Sequence, residues 1–380
     1  MGNLLYITFV NFEKETYAGV VKKIEGQVRA LQELNYNVYY TFLTNEGLFI
    51  KNNDEILCLR KIPKNISFKL LQSMLYKVIA NWVKKNEINH CYFRYHLSDP
   101  FFILMLKRLN KLNVNILIEV PTYPYDNEFK YQSVIHKVFL KIDKIFRKNI
   151  AKYSDLAITY NDYDLVLGLP AVRIENSIYI NDILYKKPSF LENEITLVGV
   201  ANLNAAQGYD RIIEGMKLYY DNKGFEDPKI IFNIVGNGIE FENLKKQVFK
   251  NNLSEYVNLL GTQVGESLDL IFDNSDIGVG CFGQYRRGIE VASTLKIREY
   301  CARGIPFINA YKEQFIDESF TFCCNFENNS SPVRMDKVID FYNSIKGNKE
   351  IGIEMREFAR EYYSWETQFK KIFDTLESKN

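Results

Sequence analysis

Short apolar runs alternate with longer amphipathic stretches through the first half of the chain. The apolar runs lie at 4–9, 37–42, 91–94, 115–120 and 155–159, and stretches with helical periodicity lie near 20–34, 68–85, 99–111, 129–152 and 161–167. Apolar runs of this length, separated by helical stretches, are typical of a parallel sheet that helices cover on both faces. The first half is therefore predicted to be a doubly wound α/β domain.

The pattern lapses near the middle of the chain and then restarts. Residues 181–194 are mostly polar and include Pro188, so they are predicted to link two domains. Further apolar runs lie at 195–200, 229–236, 256–261, 276–282 and 305–308. The predicted fold class is α/β with two doubly wound domains, at 1–185 and 195–362. A ligand is expected in the cleft between them, at the carboxyl ends of the strands.

Composition narrows the class of protein further. The chain of 380 residues is 47% hydrophobic and 25% charged, as in ordinary globular proteins. Its net charge is +1, but residues 1–190 carry +8 and residues 191–380 carry −7. The apolar run at 4–10 lacks the flanks of a signal peptide, and no run reaches the ~18 apolar residues of a membrane span. We expect a cytoplasmic protein without a cofactor or a nucleic-acid partner.

Motifs of several enzyme classes are missing. The sequence contains no G-x-x-x-x-G-K-[ST] loop, no G-x-S-x-G elbow and no H-E-x-x-H zinc motif. The run Gly236-Asn237-Gly238 has Phe241 where a dinucleotide-binding motif needs its third glycine. The six cysteines show no metal or redox spacing, and the three histidines are scattered. No metal site is therefore predicted.

Residues 293–306 carry the pattern of a short helix whose N-terminus suits a phosphate. Ser293 and Thr294 are hydroxyl residues at the predicted N-cap, Leu295 begins the helix, and a Gly-x-Pro sequence at 304–306 ends it. Free N–H groups at such a helix start could hold a diphosphate.

Two charged residues on this helix are candidate ligand contacts. Lys296 lies in the first turn, where it could pair with phosphate, and Glu299 lies one turn later, where it could accept hydrogen bonds from a ribose diol. The alternative is that both side chains are simply solvated on one helix face.

The order of motifs in the second half resembles the donor-binding region of the retaining glycosyltransferase family 4, whose members have the GT-B fold. The resembling segments are 208–215, 232–238, 259–261, 276–280, 286–288 and 293–306. More loosely, 19–24 resembles the loop after the first strand, 119–126 resembles a segment of bacterial polysaccharide transferases, and 364–366 resembles the entry to the terminal helix. The resemblance implies a GT-B enzyme with a Rossmann-like acceptor domain at 1–185, a nucleotide-sugar domain at 195–362 and a helix at 363–380 that crosses back.

The resemblance also suggests donor-binding residues. Glu299 corresponds to the second glutamate of the family's E-x7-E motif, which holds the ribose, while the first would fall at Val291, with Glu290 one residue early. The family's phosphate-binding Arg and Lys fall on Asn202 and Gln207. The candidate donor contacts are Lys296, Arg286 and Arg287 as charges, with Ser293, Thr294, Leu295, Gly236, Asn237 and Gly19 as further contacts.

By the same resemblance, the enzyme moves a sugar from UDP or GDP to a glycan acceptor, with retention and without a metal, in synthesis of a bacterial surface polysaccharide such as capsule. Glu119 and His96 are the catalytic candidates that orient the acceptor, although Glu119 could equally form a salt bridge within the fold. Tyr123, Asp126 and Glu128 are candidate acceptor contacts.

Several alternatives stay open. The same fold could serve a sugar-nucleotide epimerase or a phosphorylase, and a two-lobed protein could bind a sugar without catalysis. Asp162-x-Asp164 matches the metal motif of the other glycosyltransferase fold, but it follows a strand, where we expect an ordinary helix start.

The segment 130–152 carries a lysine stripe. At ~100° per residue Lys137, Lys141, Lys144 and Lys148 share a narrow arc with Lys130 and Lys152, opposite Ile135, Phe139, Ile142, Phe146 and Ile150. We expect the apolar side to pack on the sheet and the lysines to contact anionic lipid, which a polyprenyl-linked acceptor would require. The predicted location is the inner face of the cytoplasmic membrane.

Overall fold

A computed structural model describes residues 2–62, 68–126, 133–186, 193–224, 226–316 and 319–378, with the backbone alone at 68–73. The chain divides into two compact units. Met1–Tyr179 and Trp365–Asn380 form unit 1, and Ile180–Ser364 form unit 2. The boundary at 179/180 lies just before the stretch 181–194 that we predicted as a linker.

Unit 1 is built around a sheet with β1 near its middle. Its strands are β1 Asn3–Ile7, β2 Asn37–Leu43, β3 Gly47–Asn52, β4 Glu55–Lys61, β5 His90–Arg94, β6 Asn115–Val120, β7 Leu156–Thr159, β8 Leu165–Val166 and β9 Leu169–Arg173. In the described residues the strand order is β4-β3-β2-β1-β5-β6-β7-β9-β8. Neighbouring strands pair in parallel along the series β2-β1-β5-β6-β7-β9. Strands β3 and β4 extend one edge of the sheet in antiparallel pairing, and β8 pairs antiparallel with β9 at the other edge.

Helices cover both faces of this sheet because its central strands are buried on both sides. The helices are α1 Ala18–Glu33, α2 Phe68–Lys85, α3 Pro100–Asn110 and α4 Val134–Phe146, together with the last helix of the chain, α11 Trp365–Glu377. Along β1, Leu4 and Leu5 belong to different apolar clusters, one packed by α1 and α11 and the other by α2, α3 and α4. Successive strand residues point to opposite faces, so continuous apolar runs fill two layers.

One helix prediction for unit 1 is wrong, and a second is confirmed for part of its length. Residues 161–167 do not form a helix, because Leu167 and Gly168 have φ of +54° and +80° and turn the chain from β8 into β9. The helix predicted near 129–152 extends as α4 over 134–146 only, since Arg147–Lys152 form a 3-10 turn and 127–132 lie outside the described residues.

Unit 2 repeats the doubly wound scheme. Its strands are β10 Glu194–Val200, β11 Lys229–Val235, β12 Val257–Leu259, β13 Ile277–Val279, β14 Val291–Ala292, β15 Phe307–Asn309, β16 Lys312–Glu313 and β17 Cys323–Asn325. Its helices are α5 Tyr209–Asn222, α6 Phe241–Lys250, α7 Glu266–Asp273, α8 Leu295–Arg303, α9 Met335–Ile345 and α10 Ile351–Tyr362.

The unit 2 sheet is parallel throughout its described strands. Its order is β12-β11-β10-β13-β15-β17, and β14 pairs separately with β16. The order changes direction between β10 and β13, which is the switch point where doubly wound sheets bind ligands at their carboxyl ends. The α/β fold class with two doubly wound domains is therefore confirmed.

Close packing in unit 2 depends on a glycine of α5. A Cβ on Gly215 would lie 1.9 Å from the carbonyl oxygen of Val333, just before α9. We predict that Gly215→Ala lowers the free energy of unfolding by about 2 kcal/mol or more, because backbone must move to admit the methyl group. Urea unfolding followed by circular dichroism measures this loss. Gly347→Ala, whose Cβ has nothing within 4 Å, should change stability little. Equal effects of the two substitutions would contradict this account of the packing.

Candidate active site

The predicted phosphate-binding helix exists as α8. Thr294 is its N-cap residue, and Gly304, with φ of +74°, ends it in a left-handed conformation that glycine adopts without strain. The side chains before the helix are used elsewhere: Ser293 Oγ donates to Glu313 Oε1 at 2.8 Å, and Thr294 Oγ1 lies 2.8 Å from the Tyr311 hydroxyl. Neither hydroxyl caps the first turn, so these two side chains do not compete with an anion for its N–H groups.

Lys296 points into unit 2 from the first turn of α8. Its Nζ donates to Gln207 Oε1 at 2.6 Å and to the Tyr209 hydroxyl at 3.1 Å, and it lies 3.4 Å from the carbonyl oxygen of Gly280. All three acceptors are neutral, and no carboxylate in the described ranges pairs with this ammonium. Lys296 therefore brings a positive charge to Gln207, the position where the family resemblance leads us to expect a cation.

The two predicted arginines differ in their surroundings. Arg286 donates through both terminal nitrogens to the Asp210 carboxylate, at 3.0 Å for Nη1, and Nη1 also donates to the Ala205 carbonyl at 2.7 Å. This ion pair neutralises its charge. Arg287 is exposed and forms no ion pair with any residue that the structure describes, so it is the more available cation.

Gly236 and Asn237 lie where the loops after β10 and β11 meet. Gly236 has φ of +124°, and a Cβ there would lie 1.8 Å from the Ala201 carbonyl oxygen. The carbonyl of Asn237 accepts a hydrogen bond of 2.8 Å from the N–H of Leu203. The loops therefore approach each other backbone to backbone. Gly19 belongs to unit 1, near the start of α1, and no described atom lies within 4 Å of its added Cβ.

Glu299 is partly exposed on α8 and already has a partner. Its Oε1 lies 3.0 Å from Arg303 Nη2, and Arg303 is shared with Asp269 at 2.8 Å. Leu295, at the start of the same helix, is half exposed. A carboxylate offers about four acceptor positions, so the Arg303 contact leaves Glu299 able to accept hydrogen bonds from a diol.

Glu313 was not predicted from the sequence, yet it supports the start of α8. The ladder between β14 and β16 pairs Ala292 with Glu313, which puts this buried carboxyl beside Ser293. Burial raises the pKa of Glu313 to about 7, although hydrogen bonds from Ser293 and Tyr311 and the charge of Arg298 oppose the rise. No sequence signal marks this residue, because β16 is only two residues long.

Unit 1 contains a cavity of about 690 Å³. His96, a candidate for orienting the acceptor, lines it together with Arg94 from the end of β5 and His136 from α4. The remaining lining residues follow β1, end or follow β2, or come directly after β4 and β5: Thr8, Phe9, Val10, Asn11, Lys14, Tyr17, Leu43, Thr44, Asn45, Ile62 and Tyr95. The cavity thus lies at the carboxyl ends of neighbouring strands, where α/β domains bind ligands.

Glu119 lies beneath this cavity and does not line it. The carboxylate is fully buried, pairs with Arg94 Nη1 at 2.9 Å, and accepts a 2.6 Å hydrogen bond from the Tyr160 hydroxyl. Burial alone would raise the pKa of Glu119, but Arg94 and Lys23 outweigh it and hold the pKa below its usual value. The geometry favours the salt-bridge alternative for Glu119, with Arg94 as the residue that reaches the cavity.

The other acceptor candidates do not line the cavity. The carbonyl of Tyr123 accepts a hydrogen bond from Asn161, and Asp126 pairs with Arg147 at 2.6 Å and with Lys144 at 3.0 Å. Glu128 lies outside the described residues.

The remaining candidates lie on exposed parts of unit 1. Lys137, Lys141 and Lys144 are exposed on α4, and Lys148 is exposed in the 3-10 turn that follows it. Asp162 is exposed as well, in a segment that is not helical, with Arg173 at 3.9 Å.

Comparison with known proteins finds a family match within unit 2. The family model Glycosyl transferases group 1 matches residues 181–312, from the start of unit 2 to β16. No curated protein sequence matches the chain.

Several solved structures share the fold over the whole chain. A glycosyltransferase from Rickettsia africae ESF-5 is 14% identical, with a TM-score of 0.60 over 99% of this chain and 98% of that one. The catalytic domain of starch synthase IV from Arabidopsis thaliana, bound to ADP and acarbose, is 10% identical, with a TM-score of 0.56 over 99% of both chains. The lipopolysaccharide outer core galactosyltransferase WaaB is 12% identical, with a TM-score of 0.52 over 100% of both.

The raised pKa of Glu313 predicts a specific dependence of stability on pH. Between the pKa of an unfolded glutamate, ~4.3, and about 7, the folded protein keeps a proton that the unfolded chain has released. The resulting stabilisation is complete below this range and is lost as the pH rises through about 7. Between pH 5 and pH 8, the free energy of unfolding should therefore fall by about 3 kcal/mol less in Glu313→Gln than in the wild type.

Urea unfolding of both proteins at the two pH values measures this difference. Glu354→Gln, which changes an exposed carboxylate of α10, is the matched control and should follow the wild type. Parallel pH profiles for wild type and Glu313→Gln would show that Glu313 does not retain its proton in the folded state.

Proposed function

We propose that this chain, a glycosyltransferase with the GT-B fold, moves a sugar from a nucleoside diphosphate to a glycan acceptor, with the donor held by unit 2. The observation that carries the proposal is the Lys296 ammonium at the start of α8, held by neutral oxygen atoms only. A cation that no carboxylate among the described residues neutralises, next to a helix N-terminus without a side-chain cap, suits a diphosphate. UDP and GDP are the proposed nucleotides.

Further donor contacts are proposed to come from other residues of unit 2. The exposed Arg287 supplies a second cation, and Glu299 can accept hydrogen bonds from the ribose diol. Backbone groups near Gly236 and Asn237, where two loops pack closely, and the residues 293–295 are proposed to contact the remaining phosphate and sugar oxygens. In this proposal Arg286 holds Asp210 and the loop at Ala205 in place.

The proposed reaction needs charge stabilisation more than a strong base. The acceptor hydroxyl oxygen forms a bond to the anomeric carbon, the bond from that carbon to the phosphate oxygen breaks, and the nucleoside diphosphate leaves. Lys296, Arg287 and the N–H groups of α8 stabilise the negative charge that develops on the leaving group. By the family resemblance, the leaving phosphate takes the acceptor proton and the product retains the anomeric configuration, which NMR of the product tests.

The cavity in unit 1 is the proposed acceptor site. Its volume of about 690 Å³ is within the usual range for small-molecule sites, and it offers His96, Lys14 and Arg94 to an acceptor. The buried Glu119 is proposed to position Arg94, since the two groups are 2.9 Å apart. Tyr123, Asp126 and Glu128 stay candidates for acceptor contacts outside the cavity wall.

The proposed acceptor is a lipid-linked glycan of a bacterial surface polysaccharide, and the enzyme acts at the inner face of the cytoplasmic membrane. The resemblance to bacterial polysaccharide transferases and the charge of +8 on residues 1–190 support this. Within the described ranges, no helix has the length and hydropathy that crossing a bilayer requires. A surface of unit 1 is proposed to make the contact with the membrane, because residues 1–190 carry the positive charge.

Loss of either charged group on α8 should weaken donor binding. Lys296→Met and Glu299→Ala are each expected to cost roughly 1.5 to 3 kcal/mol, because each removes a charge-assisted hydrogen bond to the donor. Thermal shift against a panel of UDP and GDP sugars measures binding, since a ligand that binds the folded state raises the unfolding temperature.

Two exposed residues of unit 2 serve as matched controls for that experiment. Lys250→Met and Glu255→Ala make the same changes of side chain at the end of α6 and in the loop that follows. They should shift with the donor as the wild type does. If Lys296→Met and Glu299→Ala also respond like the wild type while unfolding at a normal temperature, the donor lies elsewhere.

Turnover is expected to survive chelation, because the proposed charge stabilisation uses side chains and backbone groups. In the described part of the chain, no three His, Cys, Asp or Glu residues are grouped to hold a metal ion. The experiment compares activity with EDTA, with added Mn²⁺, and in an Asp162→Asn, Asp164→Asn variant. Activity abolished by EDTA, rescued by Mn²⁺ and lost in this variant would favour the D-x-D alternative.

A further inference from the structure

Helix α4 exposes an apolar surface that the sequence pattern did not indicate. Val134, Ile135, Val138 and Ile145 are between 47% and 77% exposed, and we call them the apolar arc. Ile135 was expected to pack on the sheet with Phe139, but only Phe139 does so, against the unit 1 core. Four aliphatic side chains are thus exposed on one side of a single helix, and exposed apolar patches mark contact surfaces.

Lysines border one side of the apolar arc. At ~100° per residue the arc spans about 100°, and Lys137, Lys141 and Lys144 occupy about 60° next to it. Lys148 follows in the 3-10 turn and is exposed too. Lys144 pairs with Asp126 at 3.0 Å, whereas Lys137, Lys141 and Lys148 form no ion pair with any described residue. The surface therefore combines exposed aliphatic groups with available positive charge.

The opposite face of α4 prevents the helix from turning its apolar arc inward. Asp143 is fully buried and accepts hydrogen bonds of 2.7 Å from the Tyr125 hydroxyl and from the backbone N–H of Ser98. The Tyr95 hydroxyl donates to the same carboxylate. Rotation of α4 about its axis would leave this buried carboxylate without its hydrogen-bond partners, which is strongly destabilising. The arc is thus held toward solvent.

We propose that α4 lies on the surface of an anionic lipid bilayer, with the apolar arc in the boundary between head groups and acyl chains. The lysines then contact lipid phosphates. A helix with an aliphatic face bordered by lysines is typical of binding in the plane of the interface, and each lysine near an anionic surface adds to the attraction. A second copy of this chain is a poorer partner in antiparallel two-fold packing on the arc, because that symmetry puts the two lysine borders on the same side.

This surface has a consequence for the acceptor. His136 belongs to α4 and also lines the unit 1 cavity, so the cavity wall and the proposed lipid contact share one helix. A lipid-linked acceptor could therefore enter the cavity while its lipid stays in the bilayer. This consequence rests on the proposed function, whereas binding of α4 to lipid does not.

The experiment measures flotation of the purified protein with vesicles, in the absence of donor and acceptor. The wild type should float with phosphatidylglycerol vesicles at low salt and much less with phosphatidylcholine vesicles. The variant Val134→Ser, Val138→Ser, Ile145→Ser keeps every charge, and we expect its affinity to fall at least tenfold. Lys137→Glu, Lys141→Glu should lower the affinity at least tenfold as well, because the border becomes negative.

Matched controls separate the surface from general changes in charge or hydropathy. Lys77→Glu, Lys370→Glu makes the same change of net charge at exposed positions on α2 and α11 of unit 1. Phe249→Ser, Leu270→Ser removes two exposed apolar groups from unit 2. Both control variants should float like the wild type.

Three results would overturn the proposal. The first is a wild type that stays in the unbound fraction at low salt. The second is a serine variant that floats as well as the wild type. The third is a dimer, seen in size measurements without lipid, that the serine variant abolishes. The last result would make the apolar arc a contact between copies of the chain. Because neither sugar is present in this experiment, its failure leaves the proposed transferase activity to be judged by the donor-binding measurements.

Discussion

Parallel pairing of strands is the constraint on which both units depend. In a parallel sheet every strand ends at the same edge, so the loops that follow neighbouring strands are neighbours too. Arg94, Thr8 and Leu43 come from distant parts of the sequence and meet at one cavity because β5, β1 and β2 pair in parallel. In unit 2 the same geometry brings Gln207, after β10, to Gly280, after β13, where Lys296 contacts both.

Charge in the two candidate sites is arranged in contrasting ways. In unit 2, Lys296 lies among neutral acceptors, so its field is available to a ligand. In unit 1, Arg94 is held by the buried Glu119, and the hydroxyl of Tyr160 supports the carboxylate. A buried carboxylate that loses its cation is strongly destabilising, which keeps this pair together. The first arrangement suits binding of a multiply charged anion, and the second suits orientation of a more neutral group.

The fold could be predicted from the sequence where buried apolar runs were continuous, and the prediction failed where they were not. The central strands of both sheets lie in the predicted runs because burial on both faces requires unbroken apolar sequence. The hairpin of β3 and β4 had no such signal, since most of β4 is exposed. In the site, α8 was predictable from its cap and its Gly-x-Pro end, whereas Glu313 reaches Ser293 only through a two-residue ladder. Val134 is exposed because the hydrogen bonds of Asp143 fix the opposite face of α4 against the rest of unit 1. These bonds come from residues distant in sequence, so no local pattern predicts them.

The return of the chain to unit 1 has a consequence for how the protein is made. Helix α11 contributes Trp365, Phe369 and Ile372 to the same apolar cluster as Leu4 and Tyr92. Unit 2 is therefore an insertion within unit 1, and its sequence is continuous while that of unit 1 is not. During synthesis on the ribosome, the inserted unit can fold first, while the earlier unit keeps part of one sheet face uncovered until α11 emerges. Translational pausing or chaperone binding would act on this nascent chain during that interval.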